Sequence, residues 1–194
     1  MIKRKGDSMK SLISMLIVSL MLYVGCQENS NIVEPQNKIL APNWIELPKN
    51  ISQGSSIEME FSASDHIYGY FGGDIKLNKS YYSSKGKVKI YAKIEFDNRS
   101  FSGDKFITMT VDDVNGTVTF SPSMIFDKPA KLNLKLEGLD LSGINPENIN
   151  FVYLSPSGTI SQIVYKDINV DVQSGTLELI DGQIPHFSRF GFVR

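Results

Sequence analysis

The chain of 194 residues contains one cysteine, one tryptophan and two histidines, and it has no apolar run of the length, roughly 20 residues, that a membrane-spanning helix requires. A single thiol excludes an internal disulfide framework, so any fold must be held by its core alone. His66, in Ser64-Asp65-His66-Ile67-Tyr68, has no second imidazole nearby and no cysteine at ligand spacing, so no metal is expected of it. Charge of one sign is also missing: 20 Lys+Arg stand against 21 Asp+Glu. No basic stripe survives inspection, which argues against nucleic acid as a partner. There is no internal repeat and no nucleotide or catalytic constellation, so neither a cofactor nor an enzymatic activity is expected.

What is present begins at the N-terminus. Met1-Ile2-Lys3-Arg4-Lys5 and Lys10 form a basic opening, and Leu12 to Val24 then runs 13 residues without a charge. Met9 begins a second plausible start, Met9-Lys10-Ser11-Leu12. This is the pattern of an export signal, too short to span a bilayer and ending in small-residue chemistry. Leu22-Tyr23-Val24-Gly25-Cys26 resembles the lipobox of bacterial lipoproteins, which implies a signal peptide over 1–25, acylation of Cys26 and cleavage in front of it. Gln27 after the cysteine resembles the pattern that lets lipoproteins travel to an outer membrane, so a lipid-anchored envelope protein is expected. Several buried acyl chains hold a protein stably where one does not. Residues 26–43 are polar, contain two prolines and show no period of 2 or 3.6, so they read as a tether. Loss of residues 1–25 leaves 16 Lys+Arg against 20 Asp+Glu, a net charge of −4 that offers no overall attraction to anionic lipid.

From Trp44 onward the text changes to short alternating runs. In Lys87 to Phe96, Val88, Ile90, Ala92, Ile94 and Phe96 fall on one face and Lys87, Lys89, Tyr91, Lys93 and Glu95 on the other, the signature of a half-buried strand. Ile107-Met109-Val111, Leu132-Leu134-Leu136, Ile168-Val170-Val172 and Leu177-Leu179 repeat it. Between them lie turn sequences, Asp112-Asp113-Val114-Asn115-Gly116, Ser155-Pro156-Ser157-Gly158 and Gln173-Ser174-Gly175, rich in residues that tight reversals need. Only Leu141 to Asn148 suits a helical turn. The pattern predicts one all-β domain over 44–194, an antiparallel β-sandwich or open barrel of nine to ten short strands.

Gly72-Gly73 opening a strand, Phe126-Asp127-Lys128-Pro129-Ala130-Lys131-Leu132, and His186-Phe187-Ser188-Arg189-Phe190 resemble, over roughly Gly72 to Val193, the β-sandwich domain of ankyrins (their spectrin-binding module), netrin receptors and zonula-occludens proteins. That resemblance implies a display or protein-binding module. It also implies a self-cleaving alternative, because some animal relatives cut themselves at a His-Phe-Ser tripeptide: His186 would be the base, Phe187 would supply the scissile carbonyl and Ser188 would be the nucleophile. The residues themselves favour a plainer reading in which His186 and Ser188 satisfy polar partners at the end of the last strand and Phe187 fills the core. On a continuous strand Phe190 and Phe192 would lie on the face opposite Phe187, and His186 and Ser188 would share one face out of hydrogen-bond reach.

Two surface candidates remain. Asp112, Asp113 and Asn115 could line a calcium loop, but an Asp/Asn-rich turn selects the same residues for backbone reasons. Tyr68, Tyr70, Phe71, Tyr81 and Tyr82 bracket Gly72-Gly73, and amphipathic rings in loops anchor protein partners or stack on sugars. A protein or glycan partner is therefore expected there, beside the membrane contact through Cys26.

Overall fold

The computed structural model describes residues 42–51 and 60–194, which leaves the signal sequence, Cys26 and Gln27 outside the described residues. The described chain is all-β, two antiparallel sheets stacked as an open sandwich. The strands are β1 (Glu60–Tyr68), β2 (Gly73–Ser83), β3 (Gly86–Phe96), β4 (Asp104–Asp112), β5 (Val118–Ser121), β6 (Ile125–Glu137), β7 (Asn150–Leu154), β8 (Ile160–Gln162), β9 (Asp167–Asp171), β10 (Thr176–His186) and β11 (Arg189–Val193). One sheet has the order β1-β4-β5-β11-β7-β8 and the other β2-β3-β6-β10-β9. The helical turn shrinks to a single 3-10 turn at Pro146–Asn148, capped by the Asn145 side chain, which accepts from the Glu147 N–H at 3.1 Å.

Alternation builds each sheet's inner face. In β3 every second residue from Val88 to Phe96 is buried, and the central β6 does the same with Ala130, Leu132, Leu134 and Leu136. Opposite them lie Ile107, Met109, Val111, Val118, Phe151, Phe190 and Phe192 from the second sheet. The outer face of the five-stranded sheet carries the lysines, and most are paired. Lys89 and Lys135 both reach Glu137, at 2.8 and 3.0 Å, Lys131 reaches Asp97 and Lys76 reaches Asp74. Two donated hydrogen bonds hold the Glu137 carboxyl below its ordinary range.

The path of the N-terminal segment gives the molecule two distinguishable ends. Trp44 bridges Val193, the Ile45 N–H donates to the Phe192 carbonyl at 3.0 Å, and the Arg194 N–H donates to the Asn43 carbonyl at 3.1 Å, so the segment starts beside the end of β11. It then crosses to the other sheet. The Leu47 N–H donates to Val114, the Tyr81 hydroxyl donates to the Pro48 carbonyl at 2.8 Å, and Asn50 bridges Ser83 at the end of β2. Ile45 and Leu47 are buried beneath it. This laced end is the base of the sandwich. The β1–β2 turn lies at the tip: Phe61, Val111, Val118 and Phe190 are aligned across the sheet, Tyr68 lies seven residues from that line in one direction and Val193 three in the other. Ten residue steps at the usual strand rise separate the two ends by about 33 Å.

One expectation about the last strand is overturned. The chain does not continue as a single strand through His186-Phe187-Ser188: β10 ends at His186 in the five-stranded sheet and β11 starts at Arg189 in the other. The crossover breaks the alternation, so Phe187, Phe190 and Phe192 all point into the same core. Phe187 stacks on Phe120 at 4.8 Å and meets the edges of Phe126 at 4.8 Å and Phe96 at 6.2 Å. Phe187→Ala should therefore cost about 3–5 kcal/mol, the range for emptying a buried aromatic site. Urea unfolding measures it directly, and a loss below about 1 kcal/mol would show that the ring is not a core member.

Candidate functional site

The tip is built from a glycine-dependent turn. The Phe71 and Gly72 N–H groups both donate to the Tyr68 carbonyl, at 2.9 and 2.8 Å, and Gly72 has φ +78°, with space for a Cβ denied by the Phe96 carbonyl 2.2 Å away. The loop between β3 and β4 folds against this turn: the Gly69 N–H donates to Gly103 and the Arg99 N–H to Gly69, at 2.9 and 2.8 Å. Buried Ser100 fixes the loop by donating to the Asp97 carbonyl at 2.7 Å, while Phe101 inserts into the core against Phe96. Arg99 takes φ +59°, a left-handed conformation that a side chain adopts at a cost and that clusters at functional loops.

The consequence is a fixed aromatic surface. Tyr70 is 61% and Phe71 76% exposed, their rings 5.1 Å apart edge to face, and the Arg99 guanidinium lies over the Tyr70 ring at 5.2 Å. Tyr68, half exposed, meets the His66 ring edge-on at 4.7 Å. His66 pairs directly across the ladder with Phe106, 64% exposed. Because Ile67 and Ile107 point inward, His66, Tyr68 and Phe106 share the outward face.

The aromatic group read from the sequence is thus divided. Tyr68, Tyr70 and Phe71 are together at the tip. Tyr81 is not a surface residue: it is 6% exposed, stacks on Phe61 at 5.8 Å and reaches the base segment through its hydroxyl. Tyr82 is exposed but lies at the base, nine residues along β2 from Gly73. Phe106 was missed, although its signal was legible, since it is an apolar residue out of phase with Ile107-Met109-Val111.

The remaining candidates are structurally occupied except Asp113, whose Oδ1 is buried without a hydrogen-bond partner. Ser188 Oγ donates to the Leu154 carbonyl at 3.3 Å, and the His186 ring packs on Tyr153 at 4.6 Å, so no hydrogen bond joins the two side chains. His186 instead lines an open cleft of about 460 Å³ with Pro129, Tyr153, Gln162 and Phe190. In the Asp112–Gly116 turn, Asp112 accepts from the Val114 N–H at 2.7 Å and from the Asn115 side chain at 3.0 Å, which commits its carboxylate to the reversal. Among the described residues no group of three or more His, Cys, Asp or Glu side chains is placed to hold a metal ion. No family model, no curated protein and no solved structure matches the chain.

Burial also marks the Tyr81 phenol electrostatically. Removal from water, and secondarily the negative charge of Asp113, push its ionisation up to about 12. An unfolded tyrosine ionises near 10, so the stability that this neutral phenol carries is intact below about pH 10 and is lost as pH rises toward 12. Equilibrium unfolding across that window should show the decline, and Tyr81→Phe should make it shallower. An unchanged slope in the variant would place the late-ionising group elsewhere.

Proposed function

We propose that the chain is a non-catalytic envelope lipoprotein, exported by residues 1–25 and anchored through acylated Cys26, whose sandwich presents the aromatic tip to a protein or glycan partner. The observation that supports this reading most is the opposition of the two ends. The described chain begins at the base with Pro42, which follows Cys26 in the sequence, and Tyr70, Phe71 and Arg99 stand about 33 Å away at the tip. A module hung from a membrane by its base would hold that surface outward. Tyrosine and arginine dominate the binding energy of protein interfaces, and here they are already ordered by backbone hydrogen bonds, which lowers the entropy lost on binding. The sandwich architecture is also the one that the resemblance to the ankyrin and netrin-receptor domain implies, and that family's usual work is contact rather than chemistry.

Two substitutions test the two halves separately. Cys26→Ser should leave an unprocessed precursor or release the protein from membranes, read by fractionation and by the loss of acyl mass; a variant as mature and as membrane-bound as the parent would end the lipoprotein reading. Tyr70→Ala with Phe71→Ala should reduce cross-linking to envelope partners at least tenfold while the melting temperature changes by only a few degrees, because exposed rings contribute little to folding. A large fall in melting temperature would make the rings structural.

A further inference from the structure

The two sheets part along one edge. There β9 pairs with β10 only from Thr176 to Ile180, and residues 163–166 cross from β8 in one sheet to β9 in the other. Two irregularities bend β10 beyond that pairing, one between Leu179 and Gly182 and one between Ile184 and His186. In the first, Asp181 takes φ +50° and is held by the Asn133 side chain, which accepts from the Asp181 N–H at 3.1 Å. Gly182 leaves room for Ile163 and Leu179, whose side chains would stand 3.3 and 2.7 Å from a Cβ placed there. The crossing segment is tied down as well: the Gln183 N–H donates to the Val164 carbonyl at 2.7 Å and the Lys166 N–H to the Ile180 carbonyl at 3.0 Å. The cleft of about 460 Å³ is what this construction leaves open, a size within the range of about 300–1,000 Å³ usual for small-molecule sites.

The lining has a particular chemistry. No lysine, arginine, aspartate or glutamate contributes to it. Its polar side chains are Tyr153, Ser161, Gln162, Gln183 and His186, all of types that both donate and accept hydrogen bonds. Gln183 Nε2 donates to the Asp181 carbonyl at 3.3 Å and leaves its amide oxygen unused; the other four side chains make no hydrogen bond among the described residues. Tyr153 and His186 are half-buried, yet their polar atoms are not sealed from solvent. The remaining wall is apolar. Phe190 lies behind the Tyr153 ring at 5.6 Å, and Pro129, Pro185 and the 74% exposed Val164 form the mouth.

We propose that this cleft binds a neutral saccharide, with the C–H face of a sugar ring on the aromatic and proline wall and its hydroxyls on Tyr153, Gln162 and His186. A sugar hydroxyl donates and accepts at once, as these groups do, and ring C–H bonds suit the apolar surfaces between them. A charged ligand would lose its water and meet no countercharge, and a hydrocarbon would leave the polar groups unpaired. Strand addition by a peptide is disfavoured by the backbone itself: β8 offers three residues, and Pro185, two residues beyond the Gln183 N–H, has no N–H to give. This site is separate from the tip and does not depend on acylation of Cys26.

Saturation-transfer NMR on the chain that follows the signal sequence, carrying Cys26→Ser, tests it with methyl β-D-glucopyranoside, methyl β-D-galactopyranoside and N-acetyl-D-glucosamine, beside D-glucuronate and p-cresol. Saturation should reach the ring C–H protons of at least one neutral sugar. Val164→Arg, which fills the mouth from an exposed position, should lower that transfer at least fivefold, and Gln162→Ala and Tyr153→Phe at least twofold each, with circular dichroism melts as the check on folding. Absence of transfer to all three neutral sugars overturns the proposal. So does transfer that survives Val164→Arg, which would put the sugar at the tip or elsewhere, or stronger transfer to glucuronate or p-cresol than to every neutral sugar. If Val164→Arg does not fold, Gln162→Ala decides in its place, and an undiminished signal there overturns the site.

Discussion

The stacking of Phe187 on Phe120, with Phe96 and Phe126 at its edges, joins the two sheets at the point where the chain passes from one to the other. Much else depends on it. The sandwich has no disulfide to fix the sheets, so their relative placement rests on apolar contact between inner faces, and offset or edge-to-face aromatic pairs add orientation to what is otherwise a non-directional force. The same knot includes Phe101 through its contacts with Phe96 and Phe126, and Phe101 belongs to the loop that holds Arg99 under the tip. The tip surface is thus fixed from the core outward.

The architecture was largely legible because its signal is physical and short-range. Period-2 alternation in Lys87–Phe96, Leu132–Leu136 and Ile107–Val111 marks which side of each strand is dry, and the Asp/Asn/Gly turns mark where strands reverse. The base segment was not legible. Pro42–Ile51 alternates only over Ile45-Glu46-Leu47, too briefly to mark a path that leaves one sheet and crosses the end of the sandwich to the other. The sheet change at Phe187-Ser188 was hidden for a related reason: Phe187, Phe190 and Phe192 read as two faces of one strand, and only the non-local pairing of β10 with β6 and of β11 with β7 reveals that they share one core.

The aromatic candidates show the same limit. Proximity in sequence to Gly72-Gly73 suggested one cluster, but β2 is 11 residues long and carries Tyr82 to the far end, while alternation turns its neighbour Tyr81 inward. Phe106 joins the tip from a strand distant in sequence, through its pairing with His66. A surface patch is a property of register, and register is set by pairing rather than by local composition.

The lacing of Pro42–Ile51 also has a mechanical meaning. A load applied between the N-terminal segment and the tip would run along the strand direction, so the antiparallel hydrogen bonds of Trp44 and Ile45 with Val193 and Phe192 would be sheared together instead of being opened one after another. Bonds loaded in parallel must fail collectively, and the crossing to β2 at Asn50–Ser83 spreads the same load into the second sheet. The segment that closes the base is thereby also the part of the molecule through which tension would be carried.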